Sequence, residues 1–474
     1  MKSIRRNLIF FSLSIGIGLT ACKKKKDEPT PQPQPTGERL DTLQGELTTQ
    51  RTLDPNKKYL LVGTFIVKSG GVLRIPAGTI IFGDRRTKGT LIIDRGGKIF
   101  AEGTAEKPII FTSRFGPGER DRGDWGGIII LGRARVNSNA NPDQPTTNIE
   151  GVNPPVVYGG NDDNDNSGVL RYVRIEYAGV ALTPNNEVNS LTMGGVGSGT
   201  KIEYVQVSYG GDDGFEWFGG TVDAKYLVSF GTWDDDLDVD LGWRGRVQFA
   251  LVIRDPYGAD QSGSNGFECD NDDRGSANAP ITAGVFSNVT VIGPFMVRGM
   301  RPSPNANYQN AIHLRRNASV SIFNSVIGGF PNGLRIDGGT NSTFEHYTAQ
   351  RAFLQNNVLF IDSTNRGNLF RGESGVEGYW TNPSNNNQRE VTDSLFSKLF
   401  GYSPSSPMPF FSFVEGRSNP DLRLPSGSPL ASGADFTNSK LDGFFERVSF
   451  RGALRPDRDW TDGWCNFALQ NAQY

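Results

Sequence analysis

The chain has 474 residues, with 59 glycines, 27 prolines and 49 basic against 51 acidic side chains. Its 36% hydrophobic and 21% charged residues leave enough apolar material for a core, which excludes a collagen-like chain and wholesale disorder. A formal net charge of -2 provides no broad attraction for polyphosphate, so the composition predicts no nucleic-acid partner.

The N-terminus is typical of a secretory signal. Residues 1–6 are basic and residues 8–19 are mostly apolar, a pattern that predicts a signal peptide over residues 1–21. The sequence Leu-Thr-Ala-Cys at 19–22 resembles a bacterial lipobox, in which the cysteine is acylated with chains such as palmitate and becomes the new N-terminus. More than one acyl chain on Cys22 would make a stable membrane anchor. In the alternative, Cys22 only stands near an ordinary cleavage site.

A polar, proline-rich segment follows over residues 22–45. Alternating prolines after residue 28 predict an extended, semi-rigid tether. The lysines and two acids at 23–28 resemble the surface-export signal of lipoproteins in the Bacteroidota. This resemblance implies a lipid-anchored protein of the outer membrane that faces the cell surface, whereas the simpler interpretation is a solvated polar tether.

Short β-rich segments separated by glycine make up the body of the chain. Two kinds of segment alternate between about residues 170 and 361, with a basic period of about 22 residues, which predicts a β-solenoid over residues 46–380. Segments of the first kind begin at Tyr172, Tyr204, Tyr226, Phe249, Asn288, Asn324 and Asn357. Segments of the second kind begin at Leu191, Phe215, Leu237, Phe267, Ile312 and Leu334. Insertions at 254–264 and 298–310 interrupt the repeat.

The opening segments carry a further resemblance. Residues 71–82, 96–103, 107–113 and 123–128 resemble the first coils of right-handed parallel β-helix proteins, and the whole mature chain resembles a group of β-helix lipoproteins from Bacteroidota. The resemblance implies an all-β fold, a right-handed single-stranded parallel β-helix. Residues 381–474 leave the repeat as a loop and an aromatic-rich tail, which we expect to cap the open last coil.

Strand alternation divides the second kind of segment into inward apolar and outward positions. The first outward position of successive coils is Thr192, Glu216, Asp238, Glu268, His313 and Arg335. The second outward position is Gly194, Phe218, Asp240, Asp270, Arg315 and Asp337. Because successive coils lie about 4.8 Å apart, the sequence predicts a compact patch of five carboxylates, the candidate ligand or metal residues Glu216, Asp238, Asp240, Glu268 and Asp270.

Five carboxylates this close raise one another's pKa. Three arrangements would reduce the repulsion between their charges. A calcium ion takes six to eight oxygen ligands and suits such a patch. Alternatively, one carboxyl keeps its proton and serves as a general acid, as in glycosidases. In the third arrangement, water and bases such as Arg315 and Arg335 balance the charge, and the patch is structural.

Candidate catalytic residues are Asp238, Asp240, Asp270, His313 and Arg315. They resemble the aspartates, histidine and basic residue that polygalacturonase-like enzymes carry on neighbouring coils of this fold. The Gly-His-Gly sequence of those enzymes is absent, because apolar residues flank His313. This departure weakens the hydrolase interpretation.

Asp and Asn side chains recur in the turn before each segment of the second kind. Stacked Asp and Asn side chains form hydrogen-bonded ladders, which predicts a structural role for one aligned set: Asp213, Asp235, Asn265, Asn310 and Asn332. The neighbouring Asp212, Asp234 and Asp236 could add ligands to the carboxylate patch. Residues 162–166 have the composition of a calcium loop but lack its glutamate, and we interpret them as a solvated loop.

Two cysteines remain beyond Cys22. Strand parity points Cys269 inward beside Val239 and Leu314, where a buried free thiol is expected. A disulfide between Cys269 and Cys465 is the alternative, and it requires the C-terminal segment to enter the core.

Together these features predict a cell-surface scaffold that binds a glycan, a cation such as calcium, or an outer-membrane protein through its acidic strand face. Exposed Phe218, Trp233 and Tyr257 would stack on sugar rings. The alternative is a polysaccharide lyase or glycoside hydrolase that uses the same carboxylates. Catalysis or metal binding would be favoured if the acidic column lies in a groove walled by the two insertions, and a scaffold would be favoured if the column lies on a flat, open face.

Overall fold

A computed structural model describes residues 40–138, 146–149, 152, 154–180, 188–295, 303–339, 341–361, 368–390 and 410–474. The predicted signal peptide, Cys22 and most of the predicted tether lie outside these residues. All described residues belong to the unit Leu40–Tyr474. Among the described residues, no helix is both long enough and apolar enough to span a lipid bilayer.

Short strands dominate the described chain. They are β1 (Asp41–Leu47), β2 (Gln50–Thr52), β3 (Lys58–Val67), β4 (Val72–Pro76), β5 (Ile80–Gly83), β6 (Thr90–Ile93), β7 (Lys98–Glu102), β8 (Ile109–Ser113), β9 (Gly127–Leu131), β10 (Thr146–Asn148), β11 (Val157–Gly159), β12 (Gly168–Glu176), β13 (Leu191–Val196), β14 (Lys201–Ser208), β15 (Phe215–Gly220), β16 (Asp223–Phe230), β17 (Leu237–Asp240), β18 (Arg246–Ile253), β19 (Phe267–Cys269), β20 (Val285–Ile292), β21 (Asn310–Leu314), β22 (Ser321–Phe323), β23 (Val326–Gly328), β24 (Asn332–Ile336), β25 (Leu354–Gln355), β26 (Val358–Phe360), β27 (Phe370–Gly372) and β28 (Gln388–Glu390). Three short helices, α1 (Thr343–Thr348), α2 (Val376–Trp380) and α3 (Phe410–Val414), and three 3₁₀ turns, Pro383–Asn385, Pro429–Ala431 and Leu469–Asn471, complete the described elements.

Parallel pairing joins 26 of these strands into one array that winds through three faces. The first face contains β2, β4 and β7, the leading halves of β12, β14, β16, β18 and β20, and then β22 and β25. The second face contains the leading halves of β1 and β3, β5, β8, the trailing halves of β12, β14, β16, β18 and β20, and then β23, β26 and β28. The third face contains the trailing halves of β1 and β3, then β6, β9, β13, β15, β17, β19, β21, β24 and β27.

This arrangement confirms the predicted all-β parallel β-helix. The strands of the helix run from Asp41 to Glu390, somewhat beyond the predicted limits of residues 46 and 380. Only β10 and β11 of the described strands lie outside the array, as a small antiparallel pair.

The bend between the first and second faces has a conformational cause. Each coil places one residue there in the left-handed region, and the series is Tyr172, Tyr204, Tyr226, Phe249, Asn288, Asn324 and Asn356. Asparagine tolerates this conformation, whereas an aromatic residue does so only with compensation. Stacking supplies it, since the rings of Tyr172 and Tyr204 lie 4.4 Å apart, as do those of Tyr204 and Tyr226.

Inward apolar side chains fill the helix along its length. The column of Leu191, Phe215, Leu237, Phe267, Ile312 and Leu334 lies in one buried cluster, and Trp217 and Trp243 pack against each other in the same cluster, with ring centroids 5.2 Å apart. At the last coil, α2 contributes Val376 and Trp380 to this inner cluster. Helix α2 therefore closes the end of the core.

The C-terminal segment, residues 410–474, lies along the outside of the first and second faces. Outward amides there donate to its backbone: Gln206 to the Asn466 carbonyl at 2.8 Å and Gln248 to the Glu446 carbonyl at 2.7 Å. The Tyr474 hydroxyl reaches back to Glu176 at 2.8 Å. The expectation that this segment caps the last coil is therefore wrong: its aromatic residues instead bury the apolar outer surface of the second face.

The two cysteines are free. Cys269 lies in the inner core, as strand parity predicts, whereas Cys465 belongs to the outer cluster between the C-terminal segment and the second face. The alternative of a Cys269–Cys465 disulfide is not realised, because the sheet wall separates the two clusters.

Candidate functional site

The outward column of the third face has the register that the sequence predicts. Glu216 pairs with Asp238, Asp238 with Glu268, and Glu268 with His313, which pairs in turn with Arg335. Both insertions leave this register unchanged. The five carboxylates therefore stand on three successive coils, β15, β17 and β19.

Phe218 departs from the expectation of an exposed ring. It points outward but is buried, because residues around β10 and β11 fold over the third face and place Tyr158 against it, with ring centroids 6.3 Å apart. Phe218 is thus a packing residue, and it cannot stack on a sugar.

Arginine binds the far end of the patch. Arg315 donates from Nε to Asp270 at 2.7 Å and also contacts Glu268 through Nη2. Arg316 adds a second contact to Asp270 at 2.7 Å. Burial would raise the pKa of Glu268, but the adjacent His313 and the charge of Arg315 hold that pKa below its ordinary value.

His313 lies between two carboxylates. Its Nε2 is 2.9 Å from Asp337, and its Nδ1 is 3.7 Å from Glu268 without a hydrogen bond. Arg335 also pairs with Asp337, at 2.9 Å, so it does not balance the five-carboxylate patch. Contacts to His313 and Arg335 lower the pKa of Asp337 against the effect of burial.

The middle of the patch has no such cation. Asp238 makes no hydrogen bond among the described residues, and burial together with Glu268 and Asp270 raises its pKa well above the ordinary value. Asp240 accepts the Leu241 amide at 2.5 Å, yet burial and Asp270 raise its pKa to about 7. The protonated form is therefore favoured more strongly in the middle of the patch than at an exposed carboxyl group.

A ladder of Asn and Asp side chains borders the patch in the preceding turn. The side-chain oxygens of Asp213, Asp235 and Asn265 accept the backbone amide of the next coil, for example from Asp235 to Asp213 at 2.8 Å and from Asn310 to Asn265 at 3.1 Å. The Asn310 side-chain oxygen has no partner in the described part of the chain. The ladder begins one coil earlier than we predict, at Asn189, which accepts the Asp213 amide at 3.2 Å. Asn189 stands two residues before the first inward apolar residue of its segment, as do the other members of the ladder, so the same spacing identifies it.

Ladder and patch together contain the residues that could hold a metal ion. Three sets of carboxylates have oxygens within 4.8 Å of one another: Asp212, Asp213 and Asp234; Asp213, Glu216 and Asp238; and Asp235, Asp238 and Glu268. Asp236, which the sequence pattern groups with Asp212 and Asp234 as a possible additional ligand, is instead buried in an ion pair with Arg254 at 2.9 Å. Oxygen-rich sets of this kind suit calcium.

A groove of about 950 Å³ runs along the turns between the second and third faces. Its lining residues are Asp121, Arg122, Gly123, Gly179, Val180, Gly211, Asp212, Trp233, Asp234, Asp260, Gln261 and Ser262. The first insertion forms one wall, and the described part of the second packs behind it, with the Asn305 amide 2.8 Å from the Pro256 carbonyl.

Trp233 is the aromatic side chain of this groove. Its indole N–H donates to Asp260 at 3.1 Å, and the Arg122 guanidinium lies 5.4 Å from its ring centroid. Tyr257 is 43% exposed in the first insertion but does not line the groove. Sequence reasoning singled out Trp233 and Asp234 but missed Arg122 and Asp260, which reach the groove from distant parts of the chain.

The loop at 162–166 and the histidine of α1 both have structural partners. Asp163, in the loop at 162–166, pairs with Arg135 and Arg244, so ion pairs rather than solvent or calcium satisfy it. His346 contacts the Asn317 side chain at 2.8 Å on α1.

This β-helix is similar to a known protein family and to a solved structure. Residues 45–393 match the family described as a pectate-lyase like beta helix domain. No curated protein matches the chain. Among solved structures, the Dettilon tailspike protein is similar at 11% identity with a TM-score of 0.27, over 71% of this chain and 62% of the tailspike chain. Because the family match spans most of its length, the chain belongs to the family of proteins with a pectate-lyase like beta helix domain.

Proposed function

We propose that this protein binds a glycan in the groove beside Trp233. The observation that carries the proposal is an open groove of about 950 Å³ with a partly exposed indole bordered by carboxylates. A sugar ring has an apolar C–H face and a rim of hydroxyls, and an aromatic ring beside hydrogen-bond acceptors complements both. The family description, which likens the domain to pectate lyases, supports a glycan-related role.

Side-chain pairing favours binding over the alternative of a lyase or hydrolase. A general acid or base needs a polar atom that reaches the substrate, whereas Asp270 and Glu268 direct theirs at Arg315, and His313 directs Nε2 at Asp337. Incubation with acidic polysaccharides, followed by assays for new reducing and unsaturated ends, tests the alternative. Absence of both products supports binding alone. Turnover that Asp238→Asn abolishes would replace the binding proposal with an enzymatic one.

A panel of immobilised oligosaccharides tests the binding proposal. The wild-type protein and Trp233→Phe should retain a bound glycan, and Trp233→Ala should lose it by about tenfold or more in affinity, because the ring face is removed. Tyr257→Ala is the matched control, since that exposed ring lies outside the groove. Equal loss in the Trp233→Ala and Tyr257→Ala variants, or no glycan bound by the wild type, contradicts the proposal.

A second candidate function is calcium binding by the carboxylate patch. It is favoured by Asp238, which has carboxylates of two neighbouring coils around it and no hydrogen bond among the described residues. Calcium should raise the melting temperature of the wild type but not of Asp238→Ala, by stabilising the folded state. Asp273→Ala, which removes an exposed carboxylate, should respond like the wild type. Identical melting with calcium and with chelator in all three proteins rejects the ion site.

The location that we propose is the outer face of the outer membrane, through a lipid on Cys22. The lipobox-like sequence at 19–22 and the tether at 22–45 support it. Labelling of cells with a palmitate analogue should mark the wild-type protein and Cys269→Ala but not Cys22→Ala. External protease should degrade the protein on intact cells. Label that persists in Cys22→Ala contradicts the anchor, and protection from protease contradicts the surface location.

A further inference from the structure

The lining of the groove carries an excess of negative charge. Four carboxylates, those of Asp121, Asp212, Asp234 and Asp260, face a single basic residue, Arg122. The charge of Arg122 is already engaged outside the lining, because its Nη2 lies 2.5 Å from Asp255 and 2.9 Å from the Gly231 carbonyl. A ligand with negative charge would therefore meet net repulsion here.

One carboxylate oxygen in this lining lacks a partner. Asp234 accepts the Ser262 hydroxyl at Oδ2, at 2.9 Å, but its Oδ1 is buried and has no hydrogen-bond partner in the described part of the chain. A buried acceptor without a donor destabilises the state that contains it, and a charged donor relieves it best. Asp260, across the groove wall, accepts the Trp233 indole and the Ser262 amide, and these bonds hold its pKa below the ordinary value against burial.

One aromatic ring and three glycines also line the groove. The Trp233 ring already lies beside one guanidinium, that of Arg122, in a cation–π contact. Gly123, Gly179 and Gly211 line the groove without side chains, and a Cβ on Gly211 would lie 2.6 Å from the Gly179 carbonyl oxygen. Neighbouring coils therefore pack closely at these glycines.

From these contacts we infer that the groove takes a glycan bearing free amino groups, such as a de-N-acetylated hexosamine chain. The ammonium group lies at Asp234 and Asp260, and the sugar ring packs on Trp233. This inference rests on the proposed glycan-binding function and specifies its ligand class. It sets amino sugars apart from acidic sugars, whose carboxylates the groove repels.

Titration calorimetry on the full chain, in chelator to remove divalent cations, tests the inference with three oligosaccharides of equal length. The probes are a chitosan oligomer, its fully N-acetylated form, and an oligogalacturonate. The chitosan oligomer should bind at least about tenfold more tightly than the acetylated form, since acetylation of a charged amino group removes the charge and two of its three N–H donors. Its affinity should fall with salt, and the oligogalacturonate should not bind.

Variants locate the charge effect. Asp260→Asn should reduce the preference for the free amine, and Asp234→Asn should do so more strongly, while Asp273→Asn, far from the lining, should leave it unchanged. Circular dichroism and melting temperature verify that each variant is folded, and the Asp260 variant keeps the test decisive where Asp234→Asn unfolds.

The possible results separate the two proposals. Equal or tighter binding of the acetylated oligomer overturns the inference and leaves glycan binding in place. No binding of any glycan overturns both. A lysine-rich peptide that binds as tightly as the chitosan oligomer, with no contribution from Trp233, shows a cation site without sugar recognition and also overturns the inference.

Discussion

Replacing Arg315 by methionine is the sharpest perturbation of the carboxylate patch. Methionine keeps the aliphatic length but removes the contacts to Asp270 at 2.7 and 2.9 Å and the contact to Glu268. Breaking a buried ion pair on one side costs about 3–5 kcal/mol. We expect the lower end, about 3 kcal/mol, because Arg316 still contacts Asp270 and the Glu268 side chain keeps 16% exposure.

Chemical unfolding at pH 8, followed by tryptophan fluorescence, measures this loss. Arg335→Met, one coil away, is the matched control, since Arg335 and Asp337 are 31% and 27% exposed and such a pair contributes about 0–1 kcal/mol. The loss in Arg315→Met should shrink at pH 4, where the freed carboxyls bind protons. Equal free energies of unfolding for the two variants at pH 8 would refute the view that Arg315 balances the patch.

Three further predictions concern the patch, the ladder and the cysteines. Asp238→Asn should unfold at a higher denaturant concentration than the wild type at pH 8 and at the same concentration at pH 4. The pKa of Asp238 is raised in the folded state, so proton binding stabilises the fold below the ordinary carboxyl pKa. This contribution is lost as the pH rises through the pKa of the folded state. A less stable variant at pH 8 contradicts the assignment. Asn265→Ala should lower the free energy of unfolding by about 1–3 kcal/mol, because it leaves a buried amide of the next coil without an acceptor. The exposed Asn56→Ala should leave this free energy unchanged. Cys269 and Cys465 should resist a thiol reagent in the native protein and both react on unfolding without reductant; absence of reactive thiols after unfolding would indicate a disulfide.

The coil register could be predicted from the sequence because it depends on local parity. Triplets such as Phe215-Glu-Trp217 and Phe267-Glu-Cys269 place their apolar residues inward whatever the length of the loop between them, since a slip by one residue would expose them. The pairing of Asp238 with Glu268 across the first insertion follows from this alone.

The position of the C-terminal segment could not be predicted in the same way. Its aromatic residues must be buried, but their number does not say against which surface. A signal was present in the segments of the first kind, where outward positions carry apolar groups such as Val228 and Phe230. Those groups need a cover on the side of the helix, and Phe411 and Phe467 provide it.

The outward column of the candidate site could be predicted from the sequence, but the contacts around that column could not. Strand parity identifies Asp238 and Asp270, but side-chain conformation decides that Arg316 joins Asp270 and that Arg335 turns to Asp337. The groove could not be predicted from the sequence. It assembles from turns near residues 121, 212 and 233 and an insertion near 260, which lie together only because the coils stack.

A crystal structure of the full chain with a bound oligosaccharide tests the central claim, glycan binding in this groove, most directly. The account predicts a sugar ring against Trp233, with a polar group of the ligand within hydrogen-bond distance of Asp234 or Asp260. A ring bound elsewhere, for instance in the neutral pocket of about 520 Å³ that Phe353 and Tyr379 line at the last coils, would contradict it.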